Sequence, residues 1–243
     1  MPCIWIRDHR GDRPNSGMMF FVFDLCRRFK WMGNRTQELR DNGYDVIFAF
    51  EEAIGFCVGD VVKDKDGVCA AAVFSEFANY LDRVEGSTVA QHLTRLSEKY
   101  GYFLSNNSYL ICHDPNVINA IFEKIRGASV EEIIDGSKQP NYPTACGPHI
   151  ISAVRDLTTG YDSSQADHKA TLPSDPSAHF ITFTLENGSV ISLRTSGTEP
   201  KLKTYIELKT TDPLSAQQHL DDLVGFVMSE LLQPEANGLE LPQ

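Results

Sequence analysis

The chain has 243 residues and a formal net charge of -11 at pH 7, with 42% hydrophobic and 23% charged residues. This composition is ordinary for a globular protein, and the length suits one large domain or two smaller ones. An acidic surface repels nucleic acid and anionic membranes, so neither is expected as a partner. A phosphorylated small molecule remains compatible, because a few local Lys and Arg residues suffice to bind it.

The six cysteines are scattered along the chain and form no C-x-x-C pair. A disulfide framework or a structural zinc site would need denser, paired spacing. The pattern therefore predicts reduced thiols and a cytoplasmic location.

The N-terminal segment is expected to be atypical and disordered over residues 1–28. Residues 1–17 are polar, rich in Arg, Asp, Gly and Pro, and show no periodicity. The apolar run at 18–23 is ended by Asp24, and it is too short for a signal peptide or a membrane span.

Residues 29–135 alternate short strands with helices, which predicts an α/β domain. Tyr44–Phe50 is typical of a buried strand. Asp66 and Ser87 are predicted to cap two helices, and Asp114 followed by Pro115 starts a third. Tyr102–Cys112 fits either a strand pair or one strand with a polar turn. Apolar stripes on the three helices predict core faces, with a ligand or partner groove as the alternative: Ala70, Val73, Phe74, Phe77, Leu81 and Val84; Val89, Leu93, Leu96 and Tyr100; Val117, Ile118, Ile121, Phe122 and Ile125.

The last part of the chain has a different order of predicted elements. Residues 136–147 are polar and contain proline, which suits a linker between domains. Residues 148–243 predict a small α+β domain, an antiparallel sheet with helical packing. Its strands are expected at His149–Asp156, Phe180–Leu185, Val190–Leu193 and Leu202–Leu208, with a hairpin at Asn187–Gly188 and a last helix capped at Asp212–Pro213.

The segment Arg194 to Lys201, with the sequence RTSGTEPK, is predicted to bind phosphate. Arg194 offers a planar fork of donors that matches two phosphate oxygens. The hydroxyl groups of the segment add donors, Gly197 lets successive backbone N–H groups face one anion, and Lys201 adds a charge. A Ser/Thr-rich connection with an incidental arginine is the alternative. The predicted phosphate-binding residues are Arg194, Thr195, Ser196, Gly197, Thr198 and Lys201.

Two acidic segments are further candidates. Glu51 and Glu52 follow an apolar strand, and their carboxylates could accept hydrogen bonds from sugar hydroxyls, although a solvated acidic turn fits equally well. Asp64 and Asp66 resemble half of a metal site, but no third acid follows, and Asp66 is more simply a helix cap. Lys65 lies between them at a loop-to-helix junction, where its charge could point into a neighbouring cleft.

Four segments together resemble the α-D-phosphohexomutase superfamily: Phe29–Asn34, Glu51–Gly55, Lys65–Gly67 and Arg194–Lys201. Asp156–Ser163 resembles its phosphopentomutase and phosphoglucomutase branch, which includes glucose-1,6-bisphosphate synthase. The resemblance runs from about Phe29 to the C-terminus. It implies the third, α/β domain of such an enzyme followed by the small α+β fourth domain.

The resemblance also implies roles. A complete member carries a phosphoserine in its first domain and a Mg²⁺ on an aspartate loop in its second, and it transfers a phosphoryl group between positions of a sugar phosphate. Here Lys65 resembles the supporting active-site lysine. The residues expected to contact the sugar are Lys30, Glu51, Glu52, Ala53 and Gly55. Ala53 stands where the family usually has serine, which removes one hydroxyl that would hold a sugar oxygen.

Neither a Thr-Ala-Ser-His-Asn-Pro-type loop nor a D-x-D-x-D loop occurs in this sequence. The expectation is therefore that Mg²⁺ has no site here and that the chain is inactive alone, as a phosphosugar mutase without its nucleophile. The alternatives are a non-catalytic sugar-phosphate-binding module, part of a glucose-1,6-bisphosphate synthase, and an incomplete gene model or splice form of a complete enzyme.

Overall fold

A computed structural model describes residues 3–8, 18–21, 29–51, 54–127, 133–134, 137–138 and 140–242 of the chain. Its backbone contacts divide it into two units, Met1–Thr94 and Arg95–Gln243. Among the described residues, no helix combines the length and apolar character needed to cross a membrane.

The first unit contains an antiparallel sheet with the strand order β2-β1-β3-β4. Its elements in chain order are β1 (Cys3–Asp8), β2 (Met18–Phe21), α1 (Phe29–Asp41), β3 (Tyr44–Glu51), β4 (Gly55–Val58) and α2 (Gly67–Glu85); α3 (Val89–Tyr100) contains the boundary between the units. A small core joins α1 to β3 and β4, and it consists of Met32, Leu39, Val46, Ala49 and Cys57.

The expectation of disorder across residues 1–28 is corrected in part. Residues 3–8 and 18–21 form strands, and β1 pairs with β3 over most of its length. Strand pairing satisfies the backbone groups of these two segments, and side-chain periodicity alone does not predict it. The other residues of 1–28 lie outside the described ones.

Helix α2 begins as the sequence predicts but does not bury its apolar stripe. The Asp66 carboxylate accepts hydrogen bonds from the backbone N–H groups of Val68 and Cys69, at 2.9 and 3.2 Å. Of the stripe, Leu81 is buried, whereas Phe74 is 56% exposed. The predicted core face instead lines an open apolar cavity of about 580 Å³ together with residues of β3 and β4. Helix α3 buries none of its residues.

The second unit is built on an antiparallel sheet with the order β10-β9-β11-β12-β13-β5, to which β8 adds by pairing with β9. Its strands are β5 (Tyr102–Ile111), β6 (Ile133–Ile134), β7 (Ser137–Lys138), β8 (Ala145–Cys146), β9 (His149–Asp156), β10 (Tyr161–Asp162), β11 (Phe180–Leu185), β12 (Val190–Thr195) and β13 (Lys201–Thr210). Its helices are α4 (Pro115–Ile125) and α5 (Ala216–Phe226), and a π-helical stretch, Val227–Leu232, continues α5.

The helices of this unit share one hydrophobic core with the sheet. Phe122 of α4, Leu223 of α5 and Val227 are fully buried against strand residues such as Phe183 and Leu193. The stripe predicted on α4 therefore does face a core, and the last helix packs against the same core. The mixed α and β class with an antiparallel sheet and packed helices is confirmed.

The division into units differs from the predicted domain boundary. The sequence places residues 102–125 with the preceding α/β region, but β5 pairs along its full length with β13 and α4 joins the core of the second unit. The expected linker at 136–147 contributes β8 and the buried side chains of Tyr142 and Cys146. The β5–β13 pairing spans about 90 residues of sequence, and no local pattern encodes it, which explains the first difference.

Three local predictions also change. Residues 102–111 form one uninterrupted strand rather than a strand pair. Helix α5 starts after Ser215, and Asp212 instead accepts a hydrogen bond from the Leu214 backbone N–H at 3.0 Å. At the start of α3, Thr88 rather than Ser87 exchanges capping hydrogen bonds with Gln91.

Candidate functional site

The loop between β12 and β13 presents uncommitted backbone donors. It is closed at its base by hydrogen bonds from Ser196 N to Lys201 O, at 2.9 Å, and from Lys201 N to Glu199 O, at 2.7 Å. Within the described part of the chain, the N–H groups of Gly197, Thr198 and Glu199 donate no backbone hydrogen bond. Successive free N–H groups on an exposed turn form a concave donor surface suited to an anion.

Arg194 lies at the end of β12, at the base of this loop. Its Nε is buried and has no hydrogen-bond partner among the described residues. A buried donor without an acceptor costs about 1–3 kcal/mol, so it is normally satisfied by protein, water or a ligand. The described protein groups therefore leave the Nε–H of Arg194 without an acceptor.

The sheet register places a second cation beside Arg194. Lys203 of β13 is directly opposite Arg194 of β12. Directly opposed residues of an antiparallel pair project from the same face of the sheet, with Cβ atoms about 5 Å apart. Sequence reasoning missed Lys203, and only a prediction of the β12–β13 register could have found it.

The lysines next to the loop are tied to Glu199. Lys201 Nζ lies 2.6 Å from Glu199 Oε1 and 4.4 Å from the centre of the Tyr109 ring, and Lys203 Nζ lies 3.8 Å from Glu199 Oε2. The hydrogen bond with Lys201 lowers the pKa of Glu199, and the same bond raises the pKa of Lys201. Glu199 and Lys201 therefore keep their charges at neutral pH. By formal charge, two lysines and one glutamate leave a net positive charge beside the loop.

The hydroxyl of Thr195 is already used within the protein. It accepts a hydrogen bond from the His179 backbone N–H at 3.0 Å, and the Thr195 N–H donates to the His179 carbonyl, also at 3.0 Å. Of the predicted phosphate ligands, Thr195 thus sits at the fixed root of the loop, whereas Gly197 and Thr198 are exposed at its tip.

In the first unit, the structure brings three predicted residues together. Glu51 ends β3 with only 7% of its surface exposed, and its Oε1 lies 2.9 Å from Lys65 Nζ. Gly55 is directly opposite Glu51 in the β3–β4 pair. A Cβ at Gly55 would lie 2.8 Å from Glu51 Oε1 and 3.0 Å from Lys65 Cδ, so a side chain there would press on the ion pair.

This pair stabilises the charged form of Lys65. The hydrogen bond with Glu51, followed by its negative charge, raises the pKa of Lys65. Lys65 is 55% exposed, so it presents a permanent cation to solvent while its partner is held under the turn. A carboxylate and an ammonium in this arrangement can bind neighbouring sugar hydroxyls or an anionic substituent.

The remaining predicted residues are placed as follows. Lys30 lies in α1, and Glu52 and Ala53 lie outside the described residues. Asp66 is occupied as the cap of α2, and Asp64 accepts from the backbone N–H of Lys65 at 2.7 Å. Among the described residues, no three His, Cys, Asp or Glu side chains are grouped to hold a metal ion.

Comparison with known protein families gives a match within the second unit. A family model described as the C-terminal domain of phosphoglucomutase/phosphomannomutase matches residues 163–219, which include the whole loop after β12. The parafusin (phosphoglucomutase) of Paramecium, solved in its open form, superposes with a TM-score of 0.58 at 18% identity, over 88% of this chain and 34% of that one. This likeness concerns the fold.

Sequence relatives cover nearly the whole chain. It is 46% identical to a mouse phosphopentomutase over 91% of its length, and 46% identical to a human glucose 1,6-bisphosphate synthase over 87%. A probable phosphoribomutase of Schizosaccharomyces pombe is 40% identical over 92%. The chain spans 35%, 33% and 37%, respectively, of the lengths of these three relatives.

Proposed function

We propose that this chain, which belongs to the phosphohexomutase superfamily and spans the C-terminal portion of its members, binds a sugar phosphate by its phosphate group. The observation that carries the proposal is the state of Arg194. Its Nε is buried without a partner, at the base of a loop with three uncommitted backbone N–H groups. A guanidinium is permanently charged and matches two phosphate oxygens at once.

The charges around Arg194 support an anionic ligand. Lys201 and Lys203 add two positive charges, and Glu199 offsets one of them. With Arg194, the local balance is two positive charges in a protein whose net charge is -11. The loop residues Thr195, Ser196, Gly197 and Thr198 complete the proposed phosphate site. Such a site holds and orients the phosphate that does not react.

We propose that the Glu51 cluster of the first unit, formed by Glu51, Gly55 and Lys65, binds sugar hydroxyls. The Glu51 carboxylate can accept hydrogen bonds from sugar hydroxyls, and Lys65 supplies a cation near the reacting phosphate. Lys30, Glu52, Ala53 and Gly55 are proposed as further sugar contacts on the strength of the family resemblance. Pentose phosphates, deoxypentose phosphates and glucose phosphates are the candidate substrates, in keeping with the names of the relatives.

For the whole protein, the proposed reaction is intramolecular phosphoryl transfer on a sugar phosphate, an isomerase activity of carbohydrate metabolism. A metal ion assists such a reaction by neutralising charge on the transferring group. Among the described residues, Asp64 and Asp66 do not fit Mg²⁺, because both bond to backbone N–H groups and no three possible ligands are grouped together.

A cytoplasmic setting is part of the same proposal. It is supported by the thiols of Cys57, Cys69, Cys112 and Cys146, which are free in the described part of the chain. Reduced cysteines are the ordinary state in the cytosol.

The binding proposal is tested by calorimetry with ribose 5-phosphate and glucose 6-phosphate, with ribose as the unphosphorylated control. We expect Arg194→Ala to weaken binding by about 10- to 100-fold, since hydrogen bonds to charged groups contribute about 1.5–3 kcal/mol. Arg83→Ala, which removes an exposed charge from α2, should leave binding unchanged. Equal affinity of the wild type for ribose and ribose 5-phosphate would contradict the proposal.

The chain alone is expected not to interconvert ribose 1-phosphate and ribose 5-phosphate, because its sequence contains neither the serine loop nor the aspartate loop of complete members. A coupled assay on chain purified free of host mutase measures this. Turnover that disappears in Arg194→Ala would show that the chain is itself an enzyme. Binding without turnover is also what the alternative, a sugar-phosphate-binding module, requires.

A further inference from the structure

The root of the phosphate loop is held by the strand beside it. The backbone of His179 bonds to Thr195 twice, donating to its hydroxyl and accepting from its N–H, each at 3.0 Å. The next residue along, Phe180, is directly opposite Arg194 in the β11–β12 pair. Any displacement of His179 is therefore passed to the residue next to Arg194.

The His179 ring is itself fixed by three residues of α4 and its end. It stacks on Phe122, with ring centres 4.4 Å apart and planes 9° from parallel. Arg126 Nη1 lies 3.2 Å from Nδ1, and Asn119 Oδ1 lies 2.9 Å from Nε2. Arg126 can only donate, so Nδ1 accepts and Nε2–H donates to Asn119. These partners select the neutral form of the ring with its proton on Nε2.

Arg126 is in turn held by a buried carboxylate. Asp156 has no exposed surface, and it accepts from Arg126 Nε at 2.6 Å, from Tyr142 Oη at 2.8 Å and from the Thr158 N–H at 2.9 Å. Charge-assisted bonds of this length are strong and directional. The guanidinium that faces His179 is thus fixed in place.

A second branch of the same network reaches the backbone on both sides of His179. The Thr158 hydroxyl donates to the Ala178 carbonyl at 3.1 Å and accepts from the Phe180 N–H at 3.0 Å. Thr158 is bonded through its own N–H to Asp156. The His179 ring, through Arg126, and the backbone of residues 178–180, through Thr158, are therefore both held by the buried carboxylate of Asp156.

We propose that His179, in its neutral form, is a positioning residue that holds Thr195 and with it the phosphate loop in the binding conformation. This inference rests on the proposed phosphate site and goes beyond it, because His179 itself does not touch the ligand. A proton on Nδ1 would remove the acceptor for Arg126 and place two cations 3.2 Å apart. The loop would then lose its support on one side.

The charged groups around His179 agree with this reading. Burial, followed by the positive charge of Arg126, lowers the pKa of His179, while the carboxylates of Asp156 and Glu123 oppose the shift. Neutral His179 therefore prevails at pH 7, and protonation occurs below pH 6.5, the ordinary value for histidine.

The test is NMR and sulfate binding on the full chain between pH 7.5 and 5. Sulfate stands in for phosphate because its charge is constant over this range. His179→Phe keeps a ring to stack on Phe122 but can neither accept from Arg126 nor donate to Asn119. His113→Phe, at an exposed histidine, is the matched control. The readouts are the Thr195 amide shift and exchange rate without ligand, and the sulfate affinity.

In the wild type and in His113→Phe, the Thr195 amide should titrate with a midpoint below 6.5, and sulfate affinity should fall through the same pH range. In His179→Phe the titration should vanish, Thr195 exchange should accelerate about tenfold, and sulfate should bind several-fold more weakly at pH 7.5. If that variant does not fold, Asn119→Ala should accelerate Thr195 exchange several-fold.

The two proposals fail differently. A wild type that does not bind sulfate and ribose 5-phosphate overturns the proposed phosphate site. Unchanged Thr195 exchange in His179→Phe, or in Asn119→Ala if the first variant is unfolded, overturns the positioning role, as does a Thr195 titration that persists without His179.

Discussion

In the second unit, burial and a neighbouring charge shift the pKa of individual residues. Asp156 is buried with four hydrogen bonds to its carboxylate, three of them from Arg126 and Tyr142. Burial, and then the charge of Asp156, raises the pKa of Tyr142, so its hydroxyl remains a donor. A residue whose pKa differs between the folded and unfolded chain couples its protonation to folding.

We predict that protonation of His179 makes the stability of the fold depend on pH. Its pKa is lowered in the fold, so below pH 6.5 the unfolded chain binds the proton more readily and the fold loses stability as the pH falls toward the lowered value. Above pH 6.5 the residue contributes no pH dependence.

Urea unfolding followed by circular dichroism, in steps from pH 7.5 to 5, measures this effect. The wild type should lose more stability on acidification than His179→Phe, whereas His113→Phe should follow the wild type. Parallel pH profiles for the wild type and His179→Phe would show that the histidine is not protonated differently on folding.

Helix α2 illustrates which features a local sequence signal can predict. Its start is set by the Asp66 carboxylate on the N–H groups of Val68 and Cys69. We predict that Asp66→Ala lowers the free energy of unfolding by about 1 kcal/mol, the usual cost of losing such a cap. Asp64→Ala, which affects an exposed carboxylate bonded to the adjacent residue, is the control and should cost less. Urea midpoints of the two variants measure the difference, and equal losses would contradict the assigned cap.

The same helix shows where local signals stop. The period of its apolar residues predicts a stripe, but not whether another element covers that stripe, and Phe74 and Phe77 are exposed. Capping and proline signals at Asp114 and Pro115 did predict α4, and Asn187 with Gly188 predicted the β11–β12 hairpin, because those signals act within a few residues. The β5–β13 pairing had no such signal.

Some residues of the candidate site could likewise be predicted from local sequence, whereas others could not. Arg194 and the loop after it could be recognised because its donors are consecutive in sequence. The Glu51–Lys65 pair and Lys203 could not, since the first depends on a turn returning to β3 and the second on strand register. Roles that arise from geometry between elements need the fold before they can be seen.

For the molecule as a whole, the exposed face of α2 is the feature expected to govern dye binding and association in solution. Phe74, Phe77 and Val73 line an open apolar cavity of about 580 Å³ in the first unit. Apolar patches of this kind bind hydrophobic dyes and promote association. We predict that Phe74→Gln lowers anilinonaphthalene sulfonate fluorescence and raises the concentration at which light scattering begins.

Phe103→Gln is the control for this prediction, because Phe103 is an equally exposed ring (53%, against 56% for Phe74) on β5 of the second unit. It should change dye fluorescence much less. A similar loss in both variants would mean that the dye reports scattered rings rather than the α2 face.

The strand order of the second unit also sets the sequence in which its parts can assemble. Strands β11, β12 and β13 follow one another with short turns, whereas β5 meets β13 across about 90 residues of chain. Contacts distant in sequence slow folding more than local ones do. Strands β12 and β13 are therefore expected to pair early, and the arrival of β5 at the sheet edge to limit the refolding rate. A refolding chain would thus form the turn between β12 and β13 before its sheet is complete.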